Sequence, residues 1–250
     1  WRHKNGDRRG AANGENRMFS ILALGFLIGI RHAFEPDHVA AVASLATRTT
    51  TLRQAARQGA AWGLGHTLTL FAVCTVVLLL DTTISEQLAG YLEAAVGFML
   101  VMLGADVLRR LWRDRVHFHA HRHGDGITHF HAHSHKGEVA RVLDPRRHDH
   151  HHPAGFPYRA LAVGLMHGMA GSAALIVLAA QAVNSFWLGL GYVALFGIGS
   201  IAGMAIFSAI ICLPLKRART LTWLHNGLQA SVGVGTAVLG AVTLYQHLAA

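Results

Sequence analysis

The stretch Gly29-Ile30-Arg31-His32-Ala33-Phe34-Glu35-Pro36-Asp37-His38-Val39-Ala40-Ala41-Val42 decides the fold, because five ionisable side chains interrupt a long apolar run. Residues 18–30 and 39–46 on either side are apolar, so the segment keeps the length of a membrane span, with Arg31, His32, Glu35, Asp37 and His38 in its middle. A carboxylate or guanidinium at a bilayer centre costs roughly 2.5–3.5 kcal/mol even on lenient insertion scales, so residues of this kind in a span mark a working site. On an unbroken helix turning about 100° per residue, His32 and His38 point about 120° apart and Asp37 faces elsewhere again. Pro36 lacks an amide hydrogen and clashes with the preceding turn, which predicts a break that lets the three converge. Many secondary transporters build their ion sites at such broken helices. Imidazoles with one carboxylate suit nickel, cobalt, copper or zinc, and suit magnesium or calcium poorly. Arg31 and Glu35, spaced i, i+4, carry a plainer alternative: an ion pair that eases their burial.

Composition agrees with a membrane protein. The 250 residues are 52% hydrophobic and only 14% charged, and the charges gather in short stretches that leave apolar runs too long for a soluble domain. The expected architecture is all-α and polytopic, with six spans at 18–46, 55–80, 88–111, 158–183, 186–215 and 221–248 and a discontinuous first helix. G-x-x-x-G spacings at Gly25/Gly29, Gly59/Gly63, Gly164/Gly168 and Gly199/Gly203 fit close helix packing in lipid. The formal charge of +9 comes from loops flanking spans, so it reads as topology and not as nucleic-acid binding. The loops after spans one, three and five, counted with the adjoining span ends, carry three (Arg48, Arg53, Arg57), ten (Arg109 through Arg159) and three (Lys216, Arg217, Arg219) Lys or Arg, and those after two and four none. Odd-numbered loops are therefore expected in the cytoplasm and both termini outside, in the cytoplasmic membrane of a bacterium. Residues 1–17 form a polar tail without the apolar core of a signal peptide, and translation is expected to begin at Met18.

The two halves, 18–111 and 158–250, echo each other at an offset of 134 to 136 residues. Gly29 and His32 match Gly164 and His167; Gly63 and Gly65 match Gly197 and Gly199; Leu92–Gly97 matches Leu228–Gly233; and Leu103–Ala105 matches Leu239–Ala241. Three spans per copy make the second enter the membrane from the opposite face, an inverted 3+3 repeat whose site belongs where spans one and four meet. His66 lies mid-span in Leu64-Gly65-His66-Thr67-Leu68 and His167 in the second copy of the first motif. The candidate ligand group is therefore His32, Asp37, His38, His66 and His167, not all binding at once. Arg31, Glu35, Thr67 and Ser172 are candidates for supporting hydrogen bonds or for lining the path. Asp106 is expected to pair with Arg109 or Arg110, and His225 and Asn226 to sit in a solvated interfacial position.

Arg31–His38, reading R-H-A-F-E-P-D-H, resembles the H-x4-D-H signature of the nickel/cobalt transporter family, closest to its shorter six-span, urease-accessory-type and NicO-like members. Leu64–Leu68 is similar to that family's second-helix L-G-H-[ST] motif. The larger members have eight spans, usually read D-A-D-H where this chain has Glu35 and Pro36, and carry an L-G-F-D-T-type motif where this chain reads Gly164–Ser172. The resemblance implies a permease for Ni2+ or Co2+, which would be cargo and not a catalytic cofactor. It leaves the preferred ion and the direction open, with uptake favoured and efflux the alternative. The partners implied are a transition-metal dication and the lipid bilayer, with room for a cytoplasmic metallochaperone.

The segment 112–157 holds 12 of the 19 histidines: His117, His119, His121, His123, His129, His131, His133, His135, His148, His150, His151 and His152. Interchangeable imidazoles give shallow affinity and high capacity, which suits buffering of ions at the cytoplasmic face. Gly, Asp, Pro and Arg among them predict a segment without fixed structure in the absence of metal. None of Lys4, Lys136 and Lys216 precedes Ser or Thr, so no P-loop is present, and no H-E-x-x-H occurs; neither ATPase nor zinc-protease chemistry is encoded. Two readings from other classes are a thiol relay through Cys74 and Cys212, which lie in separate spans, and a metal sensor that does not transport. Deleting residues 116–152 is expected to leave nickel flux in proteoliposomes intact and to change only its apparent affinity or regulation; abolished flux would give the loop the central role.

Overall fold

The computed structural model describes residues 18–80, 85–113, 117–122, 128–133, 155–169, 185–218 and 221–248. Among them are seven helices: α1 (Met18–His32), α2 (Pro36–Ala46), α3 (Leu52–Leu80), α4 (Glu86–Arg113), α5 (Tyr158–His167), α6 (Phe186–Ala218) and α7 (Thr222–Leu248). Helices α3, α4, α6 and α7 are long and apolar enough to cross a membrane, and α1 with α2, taken as one span bent by 58°, makes a fifth. Of the expected fourth span the described residues include α5. The tail 1–17, Ser172 and His123, His135, His148, His150, His151 and His152 lie outside the described residues.

The break falls where Pro36 predicts it. The amides of Ala33, Phe34 and Glu35 bond three residues back, to Ile30, Arg31 and His32, which tightens the end of α1. Glu35 is extended (φ −63°, ψ 146°), and Pro36 opens α2, where its missing N–H leaves nothing unsatisfied. Val39 N–H donates to the Glu35 carbonyl at 2.9 Å and restarts the ladder.

The helices present apolar side chains outward. Leu79, Phe98, Trp187, Ile206 and Val238 are exposed, while His32, His38, His66 and His167 are buried. That inversion is what lipid demands, since apolar surface faces the tails and polar groups find partners inside. The chain is a multi-pass membrane protein.

Helix α3 packs along α6, α4 along α7 and α5 against α3, with α2 leaning on α7, α6 and α4. The seams close on glycines. A Cβ at Gly29 would strike the Phe196 carbonyl, one at Gly199 the Phe26 carbonyl, one at Gly164 the Trp62 carbonyl and one at Gly65 the Leu161 carbonyl. Gly97 lies on Gly240 and Gly104 on Gly233. Each G-x-x-x-G pair read from the sequence contributes to such a crossing, for example Gly25 on Tyr192, Gly59 on Met204 and Gly203 on Ala33. Ser44 and Thr236 share a buried 2.9 Å hydrogen bond that ties α2 to α7.

Where the sequence reading expects no order in the histidine-rich segment, β1 (His117–Arg122) and β2 (Thr128–His133) pair antiparallel, with His117, His119 and His121 opposite His133, His131 and His129. The physical reason is the alternation of His with Phe or Ala, which has the period of two that a strand requires.

Gly164→Ala is expected to destabilise the protein by about 1–3 kcal/mol, the usual range for overpacking, because the new methyl has only backbone to displace. Gly90→Ala, with nothing within 4 Å of its Cβ, is expected to be neutral or to stabilise by up to about 1 kcal/mol. Thermal unfolding of the two variants in detergent separates these outcomes.

Candidate metal centre

The broken first span delivers three of the candidate ligands. Helix α1 ends on His32 and α2 begins with Asp37 and His38, so the 58° bend turns imidazoles from both helices into one interior. Asp37 stands in the first turn of α2, where the amide ends favour a negative charge. His66 comes from the middle of α3, brought close because Gly168 lets the α5 terminus lie on the His66 carbonyl. His167 is the last residue of α5.

The sequence-predicted set meets. His32 and His38 ring centroids are 4.2 Å apart, His38 and His167 4.3 Å, and His38 and His66 5.0 Å. Potential donor atoms of His32, His38 and His66 all lie within 4.8 Å of one another, and so do those of Asp37, His38 and His167. His38 belongs to both groups and is the hinge between them.

The carboxylates fix the proton positions. Asp37 Oδ1 accepts from His38 Nδ1 at 2.8 Å and Oδ2 from His167 Nε2 at 3.1 Å; Glu35 Oε1 accepts from His32 Nδ1 at 2.9 Å. A neutral imidazole that donates from one nitrogen offers a lone pair on the other. That leaves His32 Nε2, His38 Nε2 and His167 Nδ1 as lone pairs. His32 Nε2 lies 3.2 Å from His66 Nε2, which therefore donates to it. His38 Nε2, His66 Nδ1 and His167 Nδ1 are buried and make no hydrogen bond among the described residues. Leaving a buried polar atom unpaired costs roughly 1–3 kcal/mol, and three together are what a site shaped for a cation presents. Carboxylate, imidazole, then metal is the order in which metal-binding histidines are usually supported.

The remaining candidates take other places. Glu35 is 47% exposed against 3% for His32, so it connects the surface to the buried rings. It pairs with His32, and at 4.0 Å with His38, where the sequence also offered Arg31. Arg31 is exposed. Thr67 donates to the Gly197 carbonyl at 3.2 Å and so belongs to the α3–α6 seam. His225 meets Gln229 of its own helix at 2.9 Å. Trp62 was not singled out from the sequence. It is fully buried, with its ring 5.3 Å from His38 and 5.4 Å from His167. Its position four residues before His66 on one helix face was the available signal.

The match to a family model, described as a high-affinity nickel-transport protein and called NicO, covers residues 18–232. The chain is 33% identical over 231 residues to urease accessory protein UreH of Bacillus sp. (strain TB-90), covering 91% of this chain and 92% of that protein. It is 26% identical over 224 residues to chloroplast protein FOR GROWTH AND FERTILITY 1 of Arabidopsis thaliana, 86% of this chain and 58% of that protein. The second Arabidopsis protein of that name is 25% identical over 226 residues, 86% of this chain and 55% of that protein. No solved structure matches the chain at a significant level.

His38→Ala, which removes the residue common to both groups, is expected to abolish measurable Ni2+ binding to the detergent-purified protein. Glu35→Gln, which only loosens the orientation of His32, is expected to weaken it about 10–100-fold. Isothermal titration with Ni2+ checks the order of the two effects.

Proposed function

The chain belongs to the NicO family of high-affinity nickel-transport proteins, so it is a transporter and not an enzyme; within that family, we propose that it is a six-span secondary permease that takes up Ni2+, with Co2+ as a second cargo. The ion is held by His32, Asp37, His38, His66 and His167. The single observation that carries this is the cluster of four buried imidazoles, two of them bonded to Asp37 and all linked through His38 and His32, inside an otherwise apolar helical body.

Supporting an inverted 3+3 arrangement, the glycine contacts occur in pairs related by the sequence offset. Gly29 meets Phe196 and its counterpart Gly164 meets Trp62, the counterpart of Phe196. Gly65 meets Leu161 and Gly199 meets Phe26; Gly97 meets Gly240 and Gly104 meets Gly233. The ring contacts follow the same rule, His32 with Phe196 at 5.1 Å and His167 with Trp62 at 5.4 Å. Paired seams of this kind let one copy rock against the other about an ion between α1, α2 and α5.

The ion approaches past the exposed carboxylate of Glu35 and the half-buried one of Asp37, loses water to the imidazoles, and leaves when the copies rock. A dication moving toward a negative interior gains about 4.6 kcal/mol per 100 mV, twice the single-charge value. That corresponds to more than a thousandfold in concentration, so uptake needs no nucleotide. With the odd-numbered loops in the cytoplasm, the histidine-rich segment buffers ions on the receiving side. Cys74, packed among Leu70, Tyr192 and Phe196, and Cys212, beside the Thr49 hydroxyl, are free buried thiols set in different places, and transport has no use for them.

In proteoliposomes with a potential negative inside, radioactive nickel is expected to accumulate and to respond to the size of the potential, unchanged by Cys74→Ser with Cys212→Ser. Binding without voltage-driven accumulation would make the protein a sensor, and accumulation only against the potential with a proton gradient would make it an exporter.

A further inference from the structure

Helices α2 and α5 both carry proposed ligands at one end, and both finish at the same carboxylate at the other. α2 carries Asp37 and His38 in its first turn and is followed by Arg48; α5 carries Arg159 in its first turn and ends with His167. At a rise of 1.5 Å per residue these spacings are rods of about 16 Å and 12 Å. At one end the rods are joined by Asp37 and His167 at 3.1 Å. At the other, Asp106 of α4 takes Arg48 on Oδ2, Arg110 Nε on Oδ2 at 3.3 Å and Arg159 Nη2 on Oδ1 at 3.6 Å. Arg110 also donates to the Thr47 hydroxyl at 3.1 Å and to the Asp106 carbonyl at 3.2 Å, which seats the end of α2 on α4.

We propose that Asp106 is a positioning residue for the transport site: it pins the far ends of the two ligand-bearing helices and so sets how Asp37 and His38 stand toward His167. The inference rests on the nickel-site reading above. Its physical basis is an asymmetry of charge. Three guanidiniums converge on one carboxylate, so without Asp106 they repel one another and drive α2, α4 and α5 apart, whereas losing one arginine only loosens one strut. The clamp also belongs to one face alone. The positions that the repeat offset assigns to Arg48, Asp106 and Arg159 hold Val183, Val242 and Leu24, none of them ionisable. Asp106 thus makes the two faces of a near-symmetric body unequal.

The test uses the full chain in detergent, with Co2+ as a visible-absorption probe and Ni2+ for affinity. Asp106→Asn is expected to change the Co2+ ligand-field spectrum and to weaken Ni2+ binding about tenfold or more, with Asp106→Glu restoring most of both. Arg159→Gln, at a side chain 58% exposed, is expected to move both readouts the same way by less. A folded, monodisperse Asp106→Asn protein with the wild-type spectrum and affinity within twofold overturns the proposal, as does a loss of thermal stability with the spectrum unchanged. Should that variant not fold, unchanged spectra in Arg159→Gln and Arg48→Gln overturn it equally. If the wild-type chain binds neither ion, it is the transport reading that falls.

Discussion

Asp37 is the residue on which the interior depends. One oxygen holds His38 of its own helix and the other holds His167 of a helix 130 residues away. In a body whose outer surface is apolar, a half-buried carboxylate is tolerated where its lone pairs are taken up by donors. Those donors are imidazoles, and their second nitrogens are left buried without a hydrogen-bond partner among the described residues. The rings whose N–H groups make Asp37 bearable are thus the same rings whose other nitrogens offer lone pairs to a cation. Removing either leaves the other worse off, which ties stability and chemistry together at this point.

The geometry around it depends on missing side chains as much as on present ones. The cluster of side chains from α1, α2, α3 and α5 needs their backbones to approach closely. Gly168 on the His66 carbonyl, Gly164 on the Trp62 carbonyl and Gly29 on the Phe196 carbonyl supply that approach. With no hydrophobic drive between helices in lipid, such contacts also provide the van der Waals attraction that holds the bundle. The glycines therefore place the histidines, and the large rings Trp62 and Phe196 close the space around them.

The broken helix, the glycine seams and the clustering of His32, Asp37, His38, His66 and His167 were legible in the sequence because each rests on local or periodic signals: a proline between ionisable residues, a repeat of four, an offset shared by two halves. What was not legible rests on contacts between residues far apart. Asp106 could be assigned to Arg109 or Arg110 by proximity, of which the structure shows Arg110, but Arg48 and Arg159, 58 and 53 residues away, reach it only through the fold. Glu35 could equally have met Arg31; the tight turn after α1 sends it to His32 instead. The β1–β2 pairing was missed for another reason: composition suggested disorder, while the alternation within it carried the period of a strand.

The order of groups along the path bears on which ions pass. Glu35 and Asp37 are the partly exposed members, with side chains 47% and 32% accessible, and the four imidazoles lie behind them. Oxygen at the entrance attracts any dication, because the attraction is set by charge. Under the ligation proposed above the interior discriminates, since an imidazole cage would replace lost hydration well for nickel or cobalt and badly for magnesium, which prefers oxygen and gives up water reluctantly. Under the proposed ligation, selectivity thus arises at the step from carboxylate to imidazole and not at capture. A site with the carboxylates inside and the histidines outside would hold the same residues and lose that discrimination, because a hard cation could reach its preferred ligands after shedding water.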